Sequence, residues 1–390
     1  MKLCTSSKVL AVCLMFLAAP SLIFAAGATV DCTGATPGAF TSINAAIQSL
    51  PPVGPNSINV LSNCTENVIV NGYSNLTISA VPGSFSVSAT DANHRAMVIF
   101  DSLNVFVDGL SFSGGRGIFI NNSRGVQIGD GTISNSSLQG IIALGSVVDI
   151  FNLTIQNSTR SGISAADGVF NVDGGVTITG SGRSGIVMTN GHLTLNGGDG
   201  VTPGTENVIS NNTGTGVAVV DSAEADISAD NRITGNQGAF GLEVIHTSTV
   251  IWSGGGTISG NKIGVHIGET SHGEFDTVNI TGNNGNGIEV TDHSDGYIDG
   301  GVNSSGNTGA GIQVMLSSVL NSLGGDTINN NADDGIQVDL LSIVKFAAND
   351  TITGNQEFAL HCGNGSLVVG DVAAYKPKKC GIAFQATPID

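Results

Sequence analysis

The chain has few charged and few aromatic residues. Of its 390 residues only 11% are charged, and it contains one Trp and three Tyr. Basic residues are the scarcest, since 13 Lys and Arg stand against 31 Asp and Glu, a net charge of -18. A field of this sign repels nucleic acid and anionic membranes, both of which attract basic proteins. We therefore expect no nucleic acid among its partners.

The sequence also lacks long helical patterns. Hydrophobic residues make up 40% of the chain, which is too many for a disordered protein, and 56 glycines divide it into short segments. Helical spacing is clear only in residues 40–50, where Thr41 or Ser42 can serve as N-cap and Pro51 ends the pattern. One face of this predicted helix carries Ile43, Ala46, Ile47 and Leu50.

A short phrase, Gly-Ile-x-Val or a close variant, recurs through most of the chain. Successive copies begin 22–25 residues from one another, except for one interval of 31 residues. The longer interval contains an insertion in residues 196–206, either a tolerated surface loop or the wall of a groove. A fixed period of this length is typical of solenoid proteins, in which each repeat forms one coil. The copies begin at Gly117, Gly140, Gly162, Gly185, Gly216, Gly241, Gly264, Gly287, Gly311 and Gly335.

Each repeat contains three short apolar runs separated by Gly, Asn and Ser, which leaves no room for a helix. The period therefore predicts a parallel β-helix. In the Gly-Ile-x-Val run, the alternation of side chains along a strand places the second and fourth residues inside and the x residue outside. One turn of the coil repeatedly holds asparagine, which either stacks into a ladder of side-chain amides or only forms turns. These residues are Asn236, Asn261, Asn283, Asn307, Asn331 and Asn355.

Residues 1–26 have the pattern of a cleaved signal peptide. Lys2 and Lys8 precede an apolar run, and small residues follow it at Ala25, Ala26 and Ala28. Without those two lysines, 11 basic against 31 acidic residues give a net charge of -20. We expect an exported protein, secreted or at the cell surface, with no membrane span in the mature chain.

Four cysteines remain after the signal peptide, in two close pairs at opposite ends of the chain. In an exported protein this arrangement predicts two local disulfides, Cys32 with Cys64 and Cys362 with Cys380, one at each end of the solenoid. The other two pairings, and a zinc site, remain open from the sequence alone.

Two features resemble a known family. The segment Phe40-Thr41-Ser42-Ile43-Asn44-Ala45-Ala46-Ile47 is similar to the start of pectinesterase-type β-helices, and the repeats in residues 58–360 resemble the right-handed parallel β-helix repeats of the pectate lyase-like superfamily. This resemblance implies an all-β, right-handed parallel β-helix with a short N-terminal capping helix. It also implies binding or processing of extracellular polysaccharide. An enzyme of this kind would be a polysaccharide lyase or a glycoside hydrolase, although the sequence carries no complete catalytic motif of pectate lyases, polygalacturonases or pectinesterases.

The predicted organisation is one β-helix domain, residues 27–390, after the signal peptide. Residues 27–57 form its N-terminal cap, residues 58–360 its coils and residues 361–390 its C-terminal cap. We expect a monomer.

One cluster of polar residues defines the candidate site. If the register of the repeats holds, Glu243, His266 and Glu289 form an outward column about 4.8 Å apart, and Asp292 lies just beyond the last of them. These four are the predicted catalytic set, because two carboxylates about 9.6 Å apart approach the separation found in inverting glycosidases. The predicted sugar-contacting residues are Tyr297, His246 and His293.

The same cluster has two other interpretations. Glu269, Asp292 and Asp295 offer oxygen ligands of the kind that Ca²⁺ prefers, and no other cofactor is predicted. Alternatively, these residues are polar only because they face solvent. We predict an exported β-helix protein that binds or processes extracellular polysaccharide, with a non-enzymatic cell-surface or adhesin-like structural protein as the alternative.

Overall fold

The computed structural model describes residues 25–80, 83–198, 204–347, 349–370, 372, 375–380 and 383–384. The predicted signal peptide lies outside the described residues except for Ala25 and Ala26, and so do residues 199–203 of the predicted insertion. Within these ranges the chain winds into a solenoid. A typical coil contributes one short strand to one sheet and two short strands to a second sheet. Among the helices described, none is long and apolar enough to cross a membrane.

The Gly-Ile-x-Val runs form one sheet, here called sheet I, in which each strand pairs in parallel with the equivalent strand of the next coil. Its 14 described strands are Val68–Asn71, Met97–Phe100, Ile118–Asn121, Ile141–Leu144, Ile163–Ala166, Ile186–Thr189, Val217–Val220, Phe240–Val244, Ile263–Ile267, Ile288–Val290, Ile312–Val314, Ile336–Val338, Leu360–Cys362 and Lys378–Lys379.

The other two runs of each coil form sheet II, which is also parallel. Its 27 described strands are Ala26–Val30, Val53–Val60, Cys64–Thr65, Ser74–Ala80, Phe85–Ser88, Leu103–Asp108, Leu110–Ser113, Arg124–Ser134, Val147–Gln156, Val169–Asp173, Thr177–Thr179, His192–Gly197, Asn207–Ser210, Glu224–Ala229, Asn231–Thr234, Thr249–Ser253, Thr257–Ser259, His272–Asp276, Asn279–Thr281, Asp295–Asp299, Asn303–Ser305, Val319–Ser322, Thr327–Asn329, Ile343–Phe346, Thr351–Thr353, Leu367–Val369 and Ala383–Phe384.

The core is a set of aliphatic columns that run along the solenoid. Val244, Ile267 and Val290 are register partners on adjacent strands of sheet I, and each is fully buried. Each coil thereby covers the apolar face of its neighbour, so no coil has a complete core of its own. The predicted inward and outward alternation of this strand is confirmed.

The glycine that opens each repeat is required by the close approach of adjacent coils. A Cβ atom at Gly264 would lie 2.4 Å from the carbonyl oxygen of Gly287 and 2.5 Å from Cγ2 of Ile280. At Gly287 it would lie 2.6 Å from the carbonyl oxygen of Gly311. Contacts this short do not occur for real side chains, so glycine is kept here for space.

The predicted asparagine ladder is present and starts one coil earlier, at Asn212. The Nδ2 atom of Asn283 donates to Oδ1 of Asn307 at 3.0 Å and to the carbonyl oxygen of Ile258 at 3.2 Å. Its own Oδ1 accepts from the backbone N–H and Nδ2 of Asn261. Because Asn283 is fully buried, these bonds replace the water that its amide loses on folding.

The predicted N-terminal helix is present beside the first coils. The helix Ile43–Ser49 begins at the N-cap Ser42, whose Oγ accepts from the backbone N–H of Ala45. Glu66, from the following coil, accepts hydrogen bonds from the N–H groups of Ile43 and Asn44, which helix ends otherwise leave unsatisfied. Pairing in sheet II already begins with Ala26–Val30 against Val53–Val60, before residue 58.

The two predicted disulfides are present. Cys32 is bonded to Cys64 beside the N-terminal helix, and Cys362 is bonded to Cys380 in the last coils. Each links strands or turns of neighbouring coils, so each fixes one end of the stack.

Candidate functional site

The predicted outward column of sheet I has the expected register. Glu243 is the partner of His266 on the next strand, and His266 is the partner of Glu289 on the strand after that. Gln313 and Gln337 continue the column. The sequence therefore placed this column correctly, because a strand of fixed period and a coil of fixed length leave the x residue only one position.

His266 and Glu289 form the centre of the column. Nδ1 of His266 lies 3.4 Å from Oε2 of Glu289, and the two side chains are only 16% and 15% exposed. The imidazole ring stacks on Phe240, with ring centres 4.4 Å apart and planes 14° apart. Oε1 of Glu289 accepts a hydrogen bond of 2.8 Å from Asn286. Both side chains are therefore held in one orientation by their neighbours.

Glu243 is the other carboxyl group of this column. Burial raises the pKa of the Glu243 carboxyl group, and the nearby His266 and a hydrogen bond of 3.4 Å from Thr215 oppose that rise. The amide of Asn286 instead contacts Glu289 directly. A carboxyl group with a raised pKa is suited to donate a proton in general acid catalysis.

Asp292 does not lie in this column. It belongs to a second column in the turn after sheet I, where Asp221, His246 and Glu269 occupy the equivalent position in earlier coils and share a left-handed backbone conformation. Nδ1 of His246 lies 2.7 Å from Oδ1 of Asp221, and Nε2 lies 2.5 Å from Oε2 of Glu269. The structure therefore pairs His246 with acidic groups of both neighbouring coils.

A third polar column lies on the outward side of sheet II. Nδ1 of His272 lies 2.5 Å from Oδ2 of Asp295, and Nε2 lies 3.1 Å from Oε1 of Glu274. The ring of Tyr297 is 5.5 Å from the ring of His272. His272, which the sequence showed only as one member of a polar run, thus joins two predicted site residues.

The three predicted calcium ligands do not form one group: Glu269 and Asp292 occupy equivalent positions in adjacent coils, whereas Asp295 lies on sheet II. Glu269 contacts His246 in the turn and Asp295 contacts His272 on sheet II, while Asp292 accepts from the hydroxyl of its neighbour Thr291. Among the described residues, two groups of three side chains have possible ligand atoms within 4.8 Å of one another. The first is Cys32, Cys64 and Glu66, and the second is Asp333, Asp334 and Glu357. The first group contains a disulfide, and in the second Asp334 already contacts His361.

Tyr297 lines a cavity of about 220 Å³ on sheet II. Ile251 and Leu323 add apolar surface to it, since their side chains are 42% and 54% exposed. Sequence reasoning missed these two residues, because both continue apolar runs of the kind that elsewhere face the core. The full lining is Ile251, Trp252, Ser253, Glu274, Phe275, Asp276, Tyr297, Asp299 and Leu323.

His293 is another of the predicted sugar-contacting residues. It lines a different cavity of about 310 Å³ in the turn after sheet I. There it lies beside Asp292 and the exposed side chains of Leu316, Leu340 and Leu341. The predicted sugar-contacting residues thus divide between three places: Tyr297 on sheet II, His246 in its pair of acidic contacts and His293 in this second cavity.

The fold defines the class of the protein: an all-β chain built as a parallel β-helix. The family model described as "Right handed beta helix region" matches residues 251–387. The solenoid is therefore a right-handed parallel β-helix, as predicted. No curated protein matches the chain.

Solved structures similar to this chain include the A-module of the mannuronan C-5 epimerase AlgE6 of Azotobacter vinelandii, which is 14% identical with a TM-score of 0.45 and covers 84% of this chain and 94% of that one. The periplasmic alginate epimerase AlgG is 13% identical with a TM-score of 0.42, covering 84% and 82%. The catalytic domain of a GH87 α-1,3-glucanase in complex with tetrasaccharides is 14% identical with a TM-score of 0.35, covering 85% and 64%. Likeness at this level carries no argument about what this chain does.

Proposed function

We propose that this protein binds polysaccharide outside the cytosol, with the glycan lying along the solenoid axis on the outward side of sheet II. The cavity around Tyr297 takes one sugar ring of the chain. Its volume of about 220 Å³ is below the range of roughly 300–1,000 Å³ that is usual for whole drug-sized ligands. A single ring of a longer polymer fits such a site better than a compact ligand.

The observation that carries this proposal is the combination of surfaces in the cavity. Tyr297, Ile251 and Leu323 present apolar surface to solvent, and the exposed carboxylate of Glu274 lies beside them. A sugar ring has the same division, with C–H groups on its faces and hydroxyl groups at its edge. Aromatic faces bind the former, and carboxylates accept hydrogen bonds from the latter.

The solenoid adds a repeating surface. Register partners recur at about 4.8 Å in every coil, so a linear polymer parallel to the axis meets equivalent positions again and again. The two disulfides support an oxidising location, since such bonds are rare in the cytosol. This agrees with the predicted export of the chain.

The test is a binding panel of neutral and charged oligosaccharides with the mature protein, read by isothermal titration calorimetry. We expect Tyr297→Ala to weaken binding about tenfold or more and Tyr297→Phe to retain it, because the ring face makes the contact. Phe119→Ala is the matched control, since Phe119 is an aromatic residue in the outward column of sheet I. Unchanged binding in Tyr297→Ala contradicts the proposed site, and no binding across the panel favours the structural, adhesin-like role.

A second candidate function is hydrolysis of the bound glycan at Glu243, His266 and Glu289. The raised pKa of Glu243 favours it, because burial shifts this carboxyl group toward its protonated form, the form that a general acid needs. Glu289 lies two coils further along the same column and can act as the base that activates water.

A further inference from the structure

We propose that the cavity around Tyr297 recognises an amine-bearing sugar, so that the glycan is an amino-sugar polymer that carries positive charge. This inference rests on the proposed glycan-binding function and names the class of its ligand. It starts from Asp276 and Asp299, which line the cavity and are register partners on adjacent strands of sheet II.

Asp276 and Asp299 are the two acidic groups of the cavity without a partner. Both side chains are exposed, and within the described residues neither takes part in a hydrogen bond or an ion pair. The neighbouring Glu274, in contrast, contacts His272 at 3.1 Å. Like charges directly opposite one another on adjacent strands destabilise a sheet, so a cation between these carboxylates is favourable.

The rest of the lining fits an ammonium group. Among the residues that the structure describes, no Lys or Arg lines the cavity. The first cation in the column of Tyr297 is Lys345, which lies two strands beyond it with Asn321 in between. The half-buried ring of Tyr297 lies in the same lining, and an ammonium group over an aromatic face gains a cation–π contact. Carboxylates supply charge-assisted hydrogen bonds to the same group.

The same charges select against acidic glycans. A uronate ring in the cavity would add another carboxylate beside Asp276 and Asp299, in a protein whose net charge is already -18. Unpaired like charges are an effective means of rejecting a competing ligand. The site therefore discriminates by charge between glycans of similar shape.

The test compares two oligomers with the same backbone, a glucosamine hexamer and an N-acetylglucosamine hexamer, at a mildly acidic pH where the amine is protonated. A glucose hexamer and a polyuronate oligomer complete the set, and binding to the full mature protein is measured by calorimetry. We expect the glucosamine oligomer to bind about tenfold tighter or more than its acetylated form, and its affinity to fall as salt is added.

The variant pair separates a built site from attraction to the net negative charge. In the double variant Asp276→Asn with Asp299→Asn, we expect the preference for the amine to disappear while affinity for the acetylated oligomer is retained. Glu357→Gln removes an exposed acidic charge outside the cavity and is expected to leave the preference unchanged.

Each outcome has a distinct meaning. Equal affinity for the two oligomers overturns the amine preference but leaves glycan binding intact. If Glu357→Gln lowers the preference as much as the cavity variant does, general charge attraction explains the preference. That result also overturns the inference. If no oligomer binds, the proposed function fails along with it.

Discussion

Asp326 and Asp350 are partners on adjacent coils, and both carboxyl groups contact the hydroxyl group of Ser322. Its Oγ lies 3.0 Å from Oδ2 of Asp326 and 2.6 Å from Oδ2 of Asp350. Because a hydroxyl group has only one proton, it cannot donate fully to two ionised carboxylates at once, which favours a proton on one of the two carboxyl groups. Burial raises the pKa of Asp326 to about 6, and the charge of Asp350 adds to that rise. The contact thus favours uptake of a proton by this buried pair at mildly acidic pH.

This proton makes stability depend on pH. The pKa of Asp326 is about 6 in the folded protein against its usual 3.8, so this group stabilises the folded state fully below pH 3.8 and less as the pH rises through 6. We expect Asp326→Asn to remove this dependence and to raise the free energy of unfolding near neutral pH by about 1–3 kcal/mol. Asparagine fits here, because Asn207 and Asn231 occupy the equivalent position in earlier coils.

Thermal unfolding of both proteins between pH 4 and pH 8, which brackets the pKa of about 6, measures this effect. Asp333→Asn is the control, because it removes a less buried acidic group only seven residues further along the chain. Parallel curves for the wild type and Asp326→Asn would contradict the shared proton.

The asparagine ladder is expected to carry a large share of the stability of the central coils. Replacing Asn283 by Ala removes the acceptor of the buried backbone N–H of Asn261 and the side-chain donor to the carbonyl oxygen of Ile258. We expect a loss of about 2–4 kcal/mol in the free energy of unfolding, measured in urea. Asn284→Ala changes the exposed neighbour and is expected to cost less than about 0.5 kcal/mol. Equal effects at the two positions would show that the ladder adds nothing.

The opening glycine of the repeat can be tested against a turn glycine. Gly264→Ala places a Cβ atom 2.4 Å from a carbonyl oxygen of the next coil, so the coils have to separate. We expect a loss of about 3 kcal/mol or more. Gly282 has a φ of 62° and open space around it, so Gly282→Ala is expected to cost only about 1–2 kcal/mol. The reverse order in urea unfolding would mean that backbone conformation, and not space, selects the glycines.

The second candidate function predicts a defined pair of inactive variants. If the column on sheet I hydrolyses glycans, Glu243→Gln and Glu289→Gln each lower the release of reducing ends by about a hundredfold or more while binding is retained. The rate is expected to fall as the pH rises through the raised pKa of Glu243. Gln313→Ala, one strand further along the column, is the control. Wild-type rates in both Gln variants exclude this chemistry.

The sequence was sufficient for the coil and for its outward column. A fixed interval between glycines, together with the strand period, determines which residues stack, so the register of Glu243, His266 and Glu289 followed directly. The cysteine pairs and the helix at Ile43 were equally local patterns. Each of these features depends on spacing along the chain, which the sequence displays.

The cavity and the buried proton could not be predicted in this way. The cavity combines Ile251, Tyr297 and Leu323 from different coils, and nothing in a run such as Val250-Ile251-Trp252 shows which side chain faces solvent. Asp326 stands where earlier coils have Asn or an aliphatic residue, and only its burial against Asp350 reveals the raised pKa. Such features depend on the shape of the turns, for which the repeat gives no rule.

The most direct test of the proposed function is a crystal structure of the protein with the oligosaccharide that binds best in the panel. We expect one sugar ring over the face of Tyr297, between Ile251 and Leu323, with the oligomer running parallel to the solenoid axis across the strands of sheet II. An oligomer bound on sheet I beside Glu289, with the cavity around Tyr297 unoccupied, would contradict the proposal.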